Sequence, residues 1–124
     1  MNSAQALHQF WSSFDWAAYD ESTVPSENLS PVMPRITYQV AGAGFDEPIQ
    51  LNASLWDKSY SWANITAKCE QIYRAIGLGG VMLGYDSGHV WLKRGVPFSQ
   101  RMSDEDDSIR RIYLTIEAEF ITVL

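Results

Sequence analysis

The chain has 124 residues, of which 46% are hydrophobic and 19% are charged, and its formal net charge is −6. This composition is typical of one globular domain with a packed core, so we expect a single domain over residues 1–124. The negative charge and the lack of a long basic run argue against nucleic-acid binding and against binding to an anionic membrane surface. No run of about 18 apolar residues predicts a membrane span, and no secretory leader opens the chain, so we expect a soluble protein made in the cytoplasm.

The first third of the chain combines one amphipathic segment with one irregular segment. Residues 3–19 carry apolar side chains at three- and four-residue steps, which predicts a helix with one apolar stripe. Residues 20–34 contain three prolines and many small polar residues, so they are predicted to form a loop.

The middle of the chain predicts a hairpin followed by a second helix. Residues 35–41 and 48–56 both alternate apolar and polar side chains, and a Gly-rich turn separates them. Residues 61–76 carry a second apolar stripe at helical spacing, which includes Cys69, and Gly77 follows at the position of a C-terminal cap. Cys69 is the one cysteine, and its place on the inner face of this helix predicts a buried thiol in a reducing compartment.

The last third is predicted to be all strand. Residues 81–85 and 88–94 are predicted to form a hairpin, and the run from residue 109 onward alternates without interruption. Two helices covering one face of a mainly antiparallel sheet would bury both the stripes and the alternating faces. The predicted fold class is therefore α+β, with the sheet and second helix in a core over residues 35–124.

The segment MSDEDDSIRR, residues 102–111, concentrates charge of both signs. A calcium-binding loop that began at Asp104 would need glycine at its sixth position and glutamate at its twelfth, where Ile109 and Thr115 stand. A metal site is therefore disfavoured. Two compatible hypotheses stay open: a solvated acidic turn, and a surface that pairs with a rotated copy or with another subunit.

Other signatures of catalysis or cofactor binding are weak. The chain has no Gly-x-Ser-x-Gly elbow, and its Gly-rich stretches lack the strand-then-helix context of a nucleotide site. We therefore expect no enzymatic activity, no cofactor and no bound metal. Trp91 and Arg94 are of the residue types that often dominate subunit contacts, although Trp91 could equally cover a second small core or a helix.

The sequence GHVWLKRGVPFSQRMSDEDDSIRRIYLTIEAEFIT, residues 88–122, resembles the C-terminal part of tail-terminator, or tail-completion, proteins of long-tailed bacteriophages. The similarity rests on the WLKRG strand with its following Pro-Phe, on the acidic run before the two arginines, and on the closing strand. It extends over residues 34–122 and is looser in the N-terminal third. The resemblance implies a small α+β subunit that forms a hexameric ring, stops growth of the tail tube at its head-proximal end, and presents the head-joining surface.

On this hypothesis the partners are further copies of the chain, the tail-tube protein and the head–tail connector proteins, and the protein belongs to the virion tail after assembly in the host cytoplasm. The predicted contact residues, around the ring or toward the tube, are Trp91, Arg94, Asp104, Glu105, Asp106, Asp107, Arg110 and Arg111. Three alternatives stay open: a head–tail joining or neck protein of the same machinery, a small metal-dependent hydrolase that uses the acidic run, and a monomeric binding module that uses Trp91 and Phe98.

Overall fold

A computed structural model describes residues 1–23, 33–40 and 47–122. These residues form two α-helices and a six-stranded sheet with the strand order β1-β2-β3-β6-β5-β4. The elements are α1 (Ser3–Ser12), β1 (Ala17–Asp20), β2 (Arg35–Tyr38), β3 (Ile49–Lys58), α2 (Ala63–Ile76), β4 (Val81–Tyr85), β5 (Gly88–Met102) and β6 (Ile109–Thr122). The β1–β2 pair is parallel and the other neighbouring pairs are antiparallel, which confirms the predicted α+β class.

Both helices pack on the same face of the sheet. The buried side chains of β6 are Ile112, Leu114, Ile116, Ala118 and Phe120, as its alternation predicts, and they share one core with the apolar stripes of α1 and α2. The right-handed twist of long paired strands curls such a sheet around the helices that it covers. The opposite face of the sheet has no helix over it among the described residues.

The first helix is shorter than the predicted span of residues 3–19. It ends at Ser12, and the backbone N–H and hydroxyl of Ser13 both donate to the carbonyl of Phe10, at 3.2 and 2.6 Å. Asp15 then adopts a left-handed backbone with φ of 66°, which no α-helix continues through. A short polar side chain that bonds the backbone nearby competes with the helix, so the prediction was wrong beyond residue 12.

The C-terminal part of that predicted helix forms an edge strand instead. Residues Ala17–Asp20 pair in parallel with Arg35–Tyr38. Phe14 and Ala18 are nonetheless buried in the core. The apolar stripe therefore predicted which residues are buried correctly, but it predicted the wrong secondary structure for them. The predicted loop over residues 20–34 begins with a 3-10 turn at Glu21–Thr23, and its residues 24–32 lie outside the described part of the chain.

The remaining predicted elements are confirmed with shifted ends. The β2–β3 and β4–β5 hairpins and the second helix all form, although the Gly-rich turn at residues 41–46 lies outside the described residues. Gly77 ends α2 with φ of 76°, and its N–H donates to the carbonyl of Tyr73 at 3.2 Å.

Of the residues described, no helix has both the length and the apolarity that a membrane crossing requires.

Strand β5 extends well past its predicted end at residue 94. The register against β6 shifts between Arg94 and Ser99, so that a bulge accommodates Pro97 without ending the strand. Gly95 lies so close to β6 that a Cβ atom there would stand 2.5 Å from the Thr115 Cγ2 atom. The bulge lets the β5–β6 hairpin continue to the charged segment.

Candidate functional site

The segment between β5 and β6, residues 103–108, forms what we call the acidic turn. Its four carboxylate side chains, from Asp104 to Asp107, are all exposed. The Asp104 Oδ1 atom accepts from the Asp106 N–H at 3.0 Å, and the Asp106 Oδ1 atom accepts from the N–H and hydroxyl of Ser108, at 2.8 and 2.6 Å. The two bonds from Ser108 lower the pKa of Asp106, and the bond from the hydroxyl has the larger effect. The turn is therefore a locally ordered, solvated anionic surface.

The acidic turn has no geometry for a metal ion. In the described part of the chain, no three His, Cys, Asp or Glu side chains lie close enough together to hold one. The concavity of about 210 Å³ beside the turn is lined by Trp62, Arg101 and Arg110 as well as by carboxylates. The hypothesis of a metal-dependent hydrolase gains no support from this arrangement.

The structure separates the two arginines that follow the acidic turn, because successive side chains of a strand point to opposite faces. Arg110 lies on the helix-covered side, where it donates to the carbonyls of Asp107 and Tyr60 at 3.1 and 2.8 Å. Its guanidinium carbon is 5.2 Å from the centre of the Trp62 ring. Arg110 therefore fastens the acidic turn to the segment that leads from β3 into α2.

Arg111 points to the uncovered face. Its Nε and Nη2 atoms donate to the Ser54 hydroxyl at 3.2 and 3.0 Å, and its guanidinium carbon is 4.5 Å from the Trp56 ring centre. Arg35 approaches the same indole at 5.3 Å. Arg35, Trp56 and Arg111 are direct cross-strand partners on β2, β3 and β6, so two cations flank one aromatic ring in a single row.

This row forms one wall of a concavity of about 360 Å³ that we call the arginine groove. Its central lining residues are Arg35, Thr37, Ser54, Trp56, Arg111 and Tyr113. Thr37 and Ser54 are buried, and the Thr37 hydroxyl accepts from the Trp56 Nε1–H at 2.9 Å. The groove therefore has a polar, hydrogen-bonded floor beneath its cationic and aromatic rim.

The two guanidiniums of the arginine groove lack carboxylate partners: among the described residues, no carboxylate oxygen lies within 4 Å of either. Burial lowers the pKa of Arg35, but an arginine remains charged at neutral pH after any such shift. Glu21 is the one acidic residue of the described chain that lines the groove. The arrangement suits a bound anionic group.

Trp91 and Arg94, two of the predicted contact residues, make contacts within the chain. The Trp91 Nε1–H donates to the Gly79 carbonyl at 2.9 Å, and Lys93 Nζ lies 4.1 Å from the indole centre. Arg94 donates twice to the carbonyl of Tyr73, at 3.0 and 2.7 Å, from the helix-covered side. Both residues thus stabilise the subunit, and a role for them between subunits stays a prediction.

Sequence reasoning missed Arg35, Trp56 and Tyr113 as site residues. The signal was present, since the polar face of residues 35–41 and the polar face of the last strand were both visible as alternations. What the alternation could not supply was the register that aligns these faces through β3.

Comparison with known proteins gives a structural relative. No family model matches the sequence, and no curated protein matches it. A chain from the solved structure described as "Virion of native gene transfer agent (GTA) particle" superposes with a TM-score of 0.62, at 19% sequence identity. The match covers 94% of this chain and 90% of that chain, so the two share a fold over nearly their whole lengths.

Proposed function

We propose that this chain is a structural protein of a phage-type virion and, more narrowly, the tail terminator that caps the head-proximal end of a tail tube. The observation that carries the proposal is the shared fold, over 94% of this chain, with a chain of a gene transfer agent particle. The finer assignment is supported by the resemblance of residues 34–122 to tail terminators.

The surfaces of the subunit suit assembly into a ring. A ring of identical subunits needs heterologous contacts, in which one patch on each subunit meets a different patch on the next. The chain carries two such unlike patches, the acidic turn and the arginine groove. A terminator also has to match the tube on one side and differ from it on the other, so that further subunits cannot add.

On this proposal the work of the protein is geometric and requires neither catalysis nor a cofactor. Its partners are further copies in a hexameric ring, the tail-tube protein on one side and the head–tail connector proteins on the other. It assembles in the host cytoplasm and remains in the virion at the head-proximal end of the tail.

Tube assembly tests the proposal directly. A tail-tube protein from the same genome would be polymerised alone and with increasing amounts of the purified chain, and tube lengths would be measured by negative-stain electron microscopy. A terminator shortens the tubes and labels one end of each. Unchanged tube lengths with no end-bound density would refute the terminator role.

A head–tail joining or neck protein is the alternative within the same machinery. It shares the fold match but predicts a different target, since it would bind the head connector and leave tube growth unaffected. Pull-down of the connector protein against the tube protein, with the same tagged chain, separates the two roles.

A further inference from the structure

We propose that the arginine groove of one copy binds the acidic turn of a second copy, with carboxylate side chains as the ligand. This inference rests on the proposed self-assembling role and deepens it by naming the two patches that meet. It pairs Arg35 and Arg111 of one subunit with Glu105 and Asp107 of the next.

The groove is prepared for an anion before any partner arrives. Ser54 holds the Arg111 guanidinium by two hydrogen bonds, and the Trp56 indole stands between Arg111 and Arg35. The Arg35 Nε atom is buried with no hydrogen-bond partner among the described residues. The Arg111 guanidinium, fixed in this way, recognises a carboxylate with little further ordering, which favours binding.

The acidic turn has the complementary charge. It is the densest group of carboxylates in the sequence, and all four are exposed. The side chains of Glu105 and Asp107 make no hydrogen bond or ion pair with any described residue, while Asp106 is occupied in ordering the turn. Two exposed carboxylates without partners among the described residues are therefore available to a second copy.

The contact is expected between copies because the turn faces away from the groove of its own chain. Arg110 binds the Asp107 and Tyr60 carbonyls on the helix-covered side of the sheet, whereas Arg111 lies on the uncovered side. A strand presents these neighbours in opposite directions. The turn of a second subunit has no such constraint.

Nucleic-acid phosphate is the less favoured occupant. The uncovered face that holds the groove also carries Glu117 and Glu119 farther along β6, and Glu21 lines the groove itself. Besides the two arginines, the uncovered face carries Lys58 on β3 and Lys93, the cross-strand partner of Glu117. Phosphate-backbone binding draws on many cationic contacts, and these few cations among the acids are a poor match for it.

A charge exchange tests the pairing. One variant, R35E/R111E, makes the groove acidic, and the other, E105K/D107K, makes the turn basic. Each would be measured alone and in an equimolar mixture by sedimentation velocity, up to about 1 mM chain. The control variant E47K/E70K changes the net charge as much as E105K/D107K does, at exposed sites outside both patches.

We expect the wild-type chain and the control to self-associate, and each exchanged variant alone to do so at least about tenfold more weakly. The mixture should regain association, because each variant then meets a partner of opposite charge. Failure of the mixture to exceed the separate variants would overturn the pairing, and so would a wild-type chain that stays monomeric at every concentration. The pairing would also be overturned if R35E/R111E self-associated as strongly as the wild type but lost binding to a short DNA duplex. That result would identify phosphate as the occupant of the groove.

Two further measurements distinguish a failed pairing from a misfolded variant and from a failed terminator role. Far-UV circular dichroism and thermal unfolding check the fold of each variant, and the neutral pair R35Q/R111Q repeats the loss of self-association without introducing negative charge into the groove. A reciprocal dimer that depends on the exchanged charges would uphold the pairing while contradicting the hexameric ring. Tube-length measurement tests the terminator role on its own.

Discussion

Replacing Arg110 with methionine should destabilise the subunit more than the same change at Arg101, although both guanidiniums lie over the Trp62 ring. The guanidinium carbon is 4.6 Å from the ring centre for Arg101 and 5.2 Å for Arg110. Arg110 alone of the two also donates to main-chain carbonyls, those of Asp107 and Tyr60. The comparison therefore isolates the hydrogen bonds from the stacking.

The expected magnitudes follow from these contacts. A hydrogen bond from a charged donor contributes about 1.5–3 kcal/mol when buried, and partial exposure reduces that value. The Arg110 Nε–H is buried without a partner among the described residues, and its removal returns part of the loss. We expect R110M to lower the free energy of unfolding by about 2 kcal/mol, and R101M by about 0.5 kcal/mol from lost stacking. For a chain of this size the shifts in Tm are about 7 and 2 °C.

Urea unfolding followed by tryptophan fluorescence, with Tm from circular dichroism, measures both variants. Methionine retains most of the aliphatic stem, so lost packing contributes little to the difference. Equal losses of unfolding free energy for R110M and R101M would refute the view that Arg110 fastens the acidic turn. Arg110 would then have only its predicted role as a contact residue between subunits.

Three further predictions concern the bulge, the acidic turn and the buried thiol. G95A should cost about 1–3 kcal/mol in urea unfolding, because the new methyl group would stand 2.5 Å from the Thr115 Cγ2 atom; a cost below about 0.5 kcal/mol would mean that the bulge moves freely. S108A should raise the pKa of Asp106 toward that of an ordinary carboxyl, measured by carbon-detected NMR titration; in the wild type the Ser108 bonds stabilise the turn above the ordinary carboxyl pKa, and this stabilisation is lost as pH falls through the lowered value. Burial raises the pKa of Cys69, so its thiol should react with a disulfide reagent much more slowly than the unfolded chain does at pH 8, and a matching rate in the native protein would contradict its burial.

The sequence predicted those elements whose signal is local and repeated. Helix α2 and strand β6 both carry a long, uniform period, and both appear with nearly the expected ends. The helix predicted over residues 3–19 was wrong in its C-terminal part. Phe14 and Ala18 continue the helical spacing, but they are buried from a non-helical segment and from an edge strand. There the Asp15 backbone and pairing with β2 outweigh the local pattern.

Strand β5 was predicted too short for a related reason. Proline has no N–H to donate to a neighbouring strand, so it marks a strand end where the regular ladder of hydrogen bonds is unbroken. The bulge between Arg94 and Ser99 interrupts that ladder, and its presence depends on the partner strand β6.

The sequence by itself predicted the α+β class and an acidic turn before the last strand, since these follow from residue type and from apolar periods of 3.6 and two. Only the tertiary structure decided which residues Arg110 and Arg111 meet. The order β2-β3-β6 and its register bring Arg35, Trp56 and Arg111 into one row from three segments far apart in the chain. Strand register is fixed by packing against the whole core, so no local pattern could have placed the arginine groove.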